Sequence, residues 1–390
     1  MSGGKVYLEH LLPPLLQLAR GHEFMILHNG ELTEFAASEK GASVEWRAVG
    51  GLSASHRVWI GKAVVKLLWR LFVLPYLLWR WQPDVFFSNA GYAPRWLPRR
   101  TRAVLALHNS MPLRAELIAA ERSPLHRWRL HLLRQLIVRS ARRAAAVIVF
   151  SHDTRERLLA CCGVLPYEPA VVYHGIDWQA GSQPVPPPSE ICSQWDRLRT
   201  CPTYLLYVSQ FHRYKNVERL LAAYAEVRAS HPELSLVLIG ETADAAYWRE
   251  LQPQLAALNV VHWSQCPREQ LLPIYQNALA FVHPSLAETC SFPLLEALAA
   301  GVPVAAARMS ALPEIAGDAA LYFDPYDEAD LVRVLNRLLN DETLRAELSA
   351  KAKLRAQHFT WPEAARQTLA VLEGVGEVSR VVGASARFRA

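Results

Sequence analysis

Short apolar runs recur along the chain at intervals that leave room for a helix between them. In residues 203–323 the runs are TYLLYVS, SLVLIG, VVHW, ALAFVH, PVAAA and ALYF, and helical patterns such as NVERLLAAYAEVRAS and REQLLPIYQNA lie between several of them. Runs that are apolar on both faces predict the strands of a parallel sheet, and their alternation with helices predicts a doubly wound α/β domain. A similar rhythm appears earlier in EFMILH, DVFFSN, AVLALH, AVIVFS and AVVYHG, so two Rossmann-like halves are expected. The stretch DWQAGSQPVPPPSE (177–190) follows neither period and reads as the linker between them. In open α/β sheets ligands bind beyond the carboxyl ends of the strands, so two facing sheets would hold a ligand in the cleft.

The opening residues, MSGGKVYLEHLLPPLLQLARGHEF, break the rhythm. A glycine loop leads directly into an amphipathic helix without the buried strand that should feed it. Either a first strand lies ahead of this start, or the sheet is one strand short.

Composition agrees with this organisation. A chain of 390 residues with 51% hydrophobic and 20% charged residues supports two cores and excludes global disorder. The net charge of +6 is unevenly spread: twelve arginines face two glutamates between Arg95 and Arg143, whereas residues 203–359 carry thirteen basic and eighteen acidic side chains. A basic front half suggests an anionic partner, whether phospholipid, phosphorylated substrate or nucleic acid. Nucleic acid is the least attractive, because no recognition module appears. The six cysteines show neither zinc-ligand spacing nor a redox pair, which fits a reduced, cytoplasmic setting.

The most apolar stretch, VWIGKAVVKLLWRLFVLPYLLWRW (58–81), is interrupted by Lys62, Lys66 and Arg70 and falls short of the roughly 20 residues that span a bilayer. Its cations recur every four residues beside tryptophan and leucine. Such a helix either lies on an anionic membrane or packs in the core with its charged tips at the surface. RWRLHLLRQLIVRSARRAAA (127–146) offers the same two readings.

The chemistry concentrates in HPSLAETCSFPLLEALAAGVPVA (283–305). ALAFVH ends a strand, Pro293 suits the first position of a helix, and Gly301 suits its C-cap. Main-chain amides around Ser291, Phe292, Leu294 and Leu295 would then point out of the sheet as an anion site. That helix terminus is worth only about 0.3–2 kcal/mol to an anion, so a diphosphate needs a cation as well. YVSQFHRYKN (207–216) supplies Arg213 and Lys215 from the loop after another strand. Glu296 can accept two hydrogen bonds from a vicinal diol, and Glu288 can reach a second hydroxylated group. His108 and His174 each follow an apolar strand, a position open to a structural histidine or to a ligand contact.

Two glutamates separated by seven residues and followed by G-x-P-V resemble the donor-site signature of the retaining glycosyltransferases of family 4, which have the GT-B fold. The resemblance covers nearly the whole chain: GGKVYLEHLLPPLLQLARGHEF, VVYHGID, LPEIAGDAALYFDPYDEADL and FTWPEAARQTLAVLEGV appear in the family's order. It implies an N-terminal domain over 1–178 lacking its first strand, a linker over 179–202, a nucleotide-sugar-binding domain over 203–358, and a helix and tail over 359–390 that cross back. It implies transfer of a hexose from a nucleotide donor to a glycan or lipid-linked acceptor with retention and no obligatory metal or cofactor. The absence of a D-x-D carboxylate pair agrees.

The resemblance also assigns roles. Glu296 would hold the ribose, Glu288 would contact the donor sugar, Lys215 would neutralise the departing diphosphate and His108 would lie near the transferred sugar. Gly3 and Gly4 would let the backbone approach the reacting groups, and His174 would join the donor site. Gln210 stands where the family usually has an arginine, which makes Arg213 the candidate substitute. Ser291 stands where a glycine is common, and a serine would be strained if that backbone needed a positive φ. Two rival functions are a nucleotide-sugar epimerase of the same fold and a non-catalytic nucleotide-sugar-binding subunit of a polysaccharide assembly complex.

Overall fold

All six apolar runs of residues 203–323 become strands of one parallel sheet: β7 (Thr203–Val208), β8 (Leu234–Ile239), β9 (Val261–Trp263), β10 (Ala280–His283), β11 (Val304–Ala307) and β12 (Ala320–Phe323), in the order β12-β11-β10-β7-β8-β9. The structure is a computed structural model and describes residues 3–28, 43–48, 68–176, 203–242 and 244–387; the linker expected over 179–202 lies outside them. The chain divides into two compact units, one formed by Met1–Gly175 with Trp361–Ala390 and the other by Ile176–Thr360.

In the second unit the central strands are buried on both faces, which explains why they read as continuous apolar runs. The four residues of β11 are fully buried, and three are alanine. Leu331, Val334, Leu335 and Leu338, on the helix Glu328–Asn340, recur at the three- and four-residue spacing of one helix face and are buried. Asp327 caps that helix by accepting from the amide of Asp330.

Helix Phe292–Ala300 is apolar almost all round and buried. It begins at Phe292, one residue ahead of the expected start at Pro293, which takes the second position. Gly301 ends it in the left-handed region with φ 73°, as the sequence predicts.

In the first unit, helix Gly3–Leu18 buries Tyr7, Leu11 and Leu15 along one face and packs against the final helix, Trp361–Arg387. The strands β3 (Val85–Ser88), β4 (Arg102–Ala106), β5 (Ala146–Val149) and β6 (Ala170–Val171) form a parallel sheet in chain order. β1 (Glu23–His28) and β2 (Ser43–Ala48) pair in parallel with each other and, among the described residues, with no other strand. The sequence reading anticipated β1 but not β2, whose SVEWRA alternates instead of running apolar. The loop expected at Gly3 and Gly4 is a correction: both residues lie in the first turn of the helix.

Gly301 provides a test of the C-cap. A Cβ there would meet Lys353 Cε at 2.3 Å, a flexible atom that can move aside, whereas the positive φ cannot relax without undoing the cap. Gly301→Ala is therefore expected to lower stability by about 1–2 kcal/mol, read as the midpoint of urea unfolding. Adding Lys353→Ala should leave that loss unrepaired.

Candidate functional site

The strand order of the second unit reverses between β7 and β10: β8 and β9 continue to one side of β7, while β10, β11 and β12 continue to the other. At such a switch point the loops leaving the two central strands diverge and open a crevice. The loop after β7 carries Lys215, and the loop after β10 carries Glu288 and Ser291. The amide of Leu286 donates to the carbonyl of Tyr214 at 2.8 Å, tying the loops together.

Lys215 closes a single 3-10 turn, Arg213–Lys215, stopped by Asn216 in the left-handed region. The Asn216 side chain donates to the carbonyl of Pro325 at 2.9 Å, which holds the turn. Lys215 Nζ donates to Glu288 Oε1 at 2.6 Å, and both side chains are only 11% exposed. The backbone of Glu288 is held by Ser310, whose hydroxyl accepts from its amide at 2.9 Å and donates to its carbonyl at 2.7 Å.

The same carboxylate oxygen lies 3.2 Å from His283 Nε2, which is 2.9 Å from the hydroxyl of Ser291. Burial alone would push the Glu288 carboxyl up, but the Lys215 ammonium and the His283 hydrogen bond outweigh it and hold the group at about 2. Burial pulls His283 down despite its contact with Glu288, so its ring is neutral at physiological pH and its Nε2–H donates.

Ser291 is the N-cap of helix Phe292–Ala300, but its side chain does not cap. The hydroxyl is engaged with His283 instead. Pro293 has no N–H, and the amide of Leu295 donates to the Ser291 carbonyl at 3.0 Å. One turn in, Glu296 is 7% exposed and accepts from the hydroxyl of Tyr275 at 3.1 Å. A chain of contacts thus joins Lys215, Glu288, His283 and Ser291 to the amino end of the helix that carries Glu296.

Several expected residues sit differently. Arg213 gives its guanidinium to Glu250, at 2.9 and 2.7 Å, and lies over the ring of Tyr247, so it is not a second cation beside Lys215. Its proximity in sequence concealed that the side chain turns toward helix Ala245–Ala257. Gln210 donates toward Glu241 at 3.4 Å. Leu294 and Leu295 have fully buried side chains, leaving only their main chain as a possible ligand contact. Ser291 has φ −76°, so serine is accommodated there without strain.

The remaining candidates belong to the first unit. His108 pairs its Nε2 with Asn89 Oδ1, while Asn89 Nδ2 donates to the carbonyl of Gly4 at 3.2 Å. Burial pulls His108 down to about 3. It therefore offers a neutral hydrogen-bonding ring and no charge. Its ring lies against Tyr7, Phe150 and His174, with centroids 4.6, 4.4 and 5.7 Å away, and His174 approaches Trp361 at 6.3 Å.

Sequence reasoning missed three participants in the second unit: His283, Ser310 and Tyr275. His283 had a local signal, since it ends β10 five residues before Glu288. Ser310 and Tyr275 reach the site only through tertiary folding.

Comparison with known proteins places these features in a family. Residues 1–179 match the family described as Glycosyltransferase Family 4, and residues 196–355 match Glycosyl transferases group 1. O-antigen chain mannosyltransferase B of Escherichia coli is 31% identical over 172 residues, covering 43% of this chain and 44% of the relative. MMP alpha-(1->4)-mannosyltransferase of Mycolicibacterium hassiacum is 34% identical over 164 residues, covering 41% and 40%. The chain thus matches less than half the length of these curated relatives.

Among solved structures, WaaG, a glycosyltransferase involved in lipopolysaccharide biosynthesis, superposes with a TM-score of 0.69 at 18% identity over 96% of this chain and 97% of its own. HepE of Anabaena in complex with UDP and glucose gives 0.67 at 18% identity over 96% of both chains. The two matched regions and this architecture show that the chain belongs to glycosyltransferase family 4, with the GT-B fold.

Proposed function

We propose that the protein transfers a hexose from a nucleoside-diphosphate sugar to an acceptor hydroxyl, with retention of anomeric configuration, in the synthesis of a surface polysaccharide or glycolipid. The observation that carries this reading is the buried Lys215–Glu288 pair at the switch point, beside a helix terminus that no side chain caps. The diphosphate sits against Lys215 and the amino end of helix Phe292–Ala300. Glu296 takes the ribose hydroxyls and Glu288 the donor sugar.

In the reaction the bond between the anomeric carbon and the diphosphate oxygen breaks. The acceptor oxygen bonds to that carbon on the same face, and the acceptor proton passes to a departing phosphate oxygen. Negative charge grows on the diphosphate, where Lys215 and the helix amides stabilise it. No metal or cofactor is assigned a step. The names of the curated relatives make mannosyl donors the first to test.

The fold and the chemistry make separate claims on Lys215. Removing it alone leaves Glu288 buried without its main counter-charge, which costs about 3–5 kcal/mol. The double variant Lys215→Met, Glu288→Gln removes both charges, and its turnover should fall about 100- to 1000-fold while circular dichroism stays unchanged.

Glu288→Gln alone should act on acid stability. The folded carboxyl titrates at about 2 against an ordinary 4.5, so its contribution is complete above pH 4.5 and disappears as pH falls toward 2. The variant should lose less stability than the parent across that window in acid-unfolding experiments.

Thermal-shift screening against nucleotide sugars identifies the donor, and proton NMR of the product reads its anomeric configuration. An inverted product would refute the mechanism. Donor binding without turnover by the purified chain would favour the non-catalytic reading. Turnover should persist in a chelator.

A lipid-linked acceptor and an anionic membrane surface belong to the same proposal. The support is exposed apolar surface in the first unit, where Phe72 is 67% and Trp79 66% exposed on a segment that also exposes Leu71 and Tyr76. Helix Pro124–Ala141 adds exposed Leu125 and Trp128 among its arginines. Among the described residues no helix is long and apolar enough to cross a membrane. Lys62 and Lys66 of the expected basic stripe lie outside those residues. The protein should cosediment with phosphatidylglycerol vesicles, and Phe72→Ser with Trp79→Ser should reduce binding at least about tenfold, since each removes about 1.5–3 kcal/mol of apolar burial.

A further inference from the structure

Glu288 is held by three residues, and the three differ in what else they must do. Ser310 fixes its main chain, accepting from the amide at 2.9 Å and donating to the carbonyl at 2.7 Å. Lys215 holds the carboxylate from a single 3-10 turn in a loop. Under the proposed function the same ammonium also meets the diphosphate, so its hold on Glu288 weakens when the nucleotide sugar binds and negative charge arrives. The third residue is His283, whose Nε2 lies 3.2 Å from the same carboxylate oxygen.

His283 has no second task and cannot move away. It closes β10, all four of whose residues are buried, and its Cα is paired with that of Ala306 in β11. Its ring packs beside that of Phe281, with centroids 5.5 Å apart. A strand inside a sheet positions a side chain more tightly than a loop does.

The proton of the ring sits on Nε2. Nδ1 has no hydrogen-bond partner among the described residues, so a proton there would be a buried orphan, and it would turn the Nε2 lone pair toward a carboxylate. A second proton would meet the same difficulty, and burial opposes the added charge. The ring is therefore a neutral N–H donor that a phosphate does not draw away as it draws an ammonium.

Given the proposed function, on which this rests, we infer that His283 is a positioning residue for sugar transfer: it holds the Glu288 carboxylate in place while Lys215 is engaged by the diphosphate. Tyr207 of β7 and Tyr214 of the Lys215 turn also lie near enough to feel the Glu288 charge, but burial raises both phenols and they stay neutral in acid. Against the burial that raises the Glu288 carboxyl stand Lys215 and His283, and with Lys215 shared the balance falls on His283. Losing the ring N–H has two effects. The carboxylate is released from its aim, which lowers turnover at neutral pH, and the buried acid takes up a proton at higher pH, which lowers turnover in acid.

The test uses the purified full chain and three variants, with a nucleotide sugar that supports turnover. Both kcat and KM for that sugar are read against pH wherever circular dichroism shows the chain folded. His283→Phe keeps a ring without a donor, His283→Asn keeps a donor that stops one bond short, and His283→Gln carries an N–H as many bonds from Cβ as Nε2. The Phe and Asn variants should lose about 10- to 100-fold in kcat at neutral pH with KM changed far less. The acid limb of their kcat profiles should lie about one pH unit higher. The Gln variant should recover most of kcat and return the limb to its parental position. Because glutamine does not titrate, disappearance of the limb in that variant would assign it to His283 itself and overturn the inference. Equal losses in all three variants without movement of the limb, a rise in KM alone, or an unaffected kcat in His283→Phe would overturn it too. If His283→Phe does not fold, His283→Asn, which adds no bulk, carries the comparison with His283→Gln. A parent without turnover on any nucleotide sugar would refute the proposed function and take this inference with it, whereas an active parent with any of the contrary outcomes refutes this inference alone.

Discussion

The buried contact between Lys215 and Glu288 is the constraint on which the second unit's site depends. Each group would be unfavourable in that environment alone, and each is kept charged by the other, with His283 adding a hydrogen bond to the carboxylate. The pair joins loops separated by 73 residues in sequence, and it holds them where β7 and β10 diverge. Placing the ammonium there before a ligand arrives removes most of the conformational entropy that a flexible lysine loses on binding an anion. An arriving diphosphate then competes with a carboxylate for a cation already in position.

The surrounding contacts follow from keeping that pair buried. His283 must be neutral to lie fully buried, and its one donor is shared between Glu288 and Ser291. That draws the Ser291 hydroxyl away from the capping position it would ordinarily take, so the terminus of helix Phe292–Ala300 has no side-chain cap. A serine in place of the family's glycine is thus consistent with anion binding at this terminus: its φ of −76° requires no glycine, and its side chain supports the ion pair from behind.

Much of this was legible in the sequence because it rests on local patterns. The six strands of the second unit announce themselves as apolar runs, Gly301 marks a helix end, and Glu288, Glu296 and Lys215 stand out as ionisable residues beside buried strands. What was not legible depends on where side chains turn. Arg213 is two residues from Lys215, yet a pair of hydrogen bonds to Glu250 and the ring of Tyr247 draw it away. Ser310 and Tyr275 act through contacts with Glu288 and Glu296 across 22 and 21 residues, beyond the reach of any periodicity argument. β2 was not legible because SVEWRA alternates polar and apolar residues instead of forming the continuous apolar run of a strand buried on both faces.

A doubly wound sheet is most buried at its first strand, which has neighbours on both edges and helices over both faces. The second unit fills that position with TYLLYV, five of whose six residues are buried. In the first unit β1 and β3 are apolar but only half-buried, and among the described residues β1 pairs with β2 and β3 with β4. Helix Gly3–Leu18 packs on the final helix and, with β1 and β3, lines a cavity of the first unit. That central position, held by β7, gives the second unit its switch point, and with it the Lys215 loop.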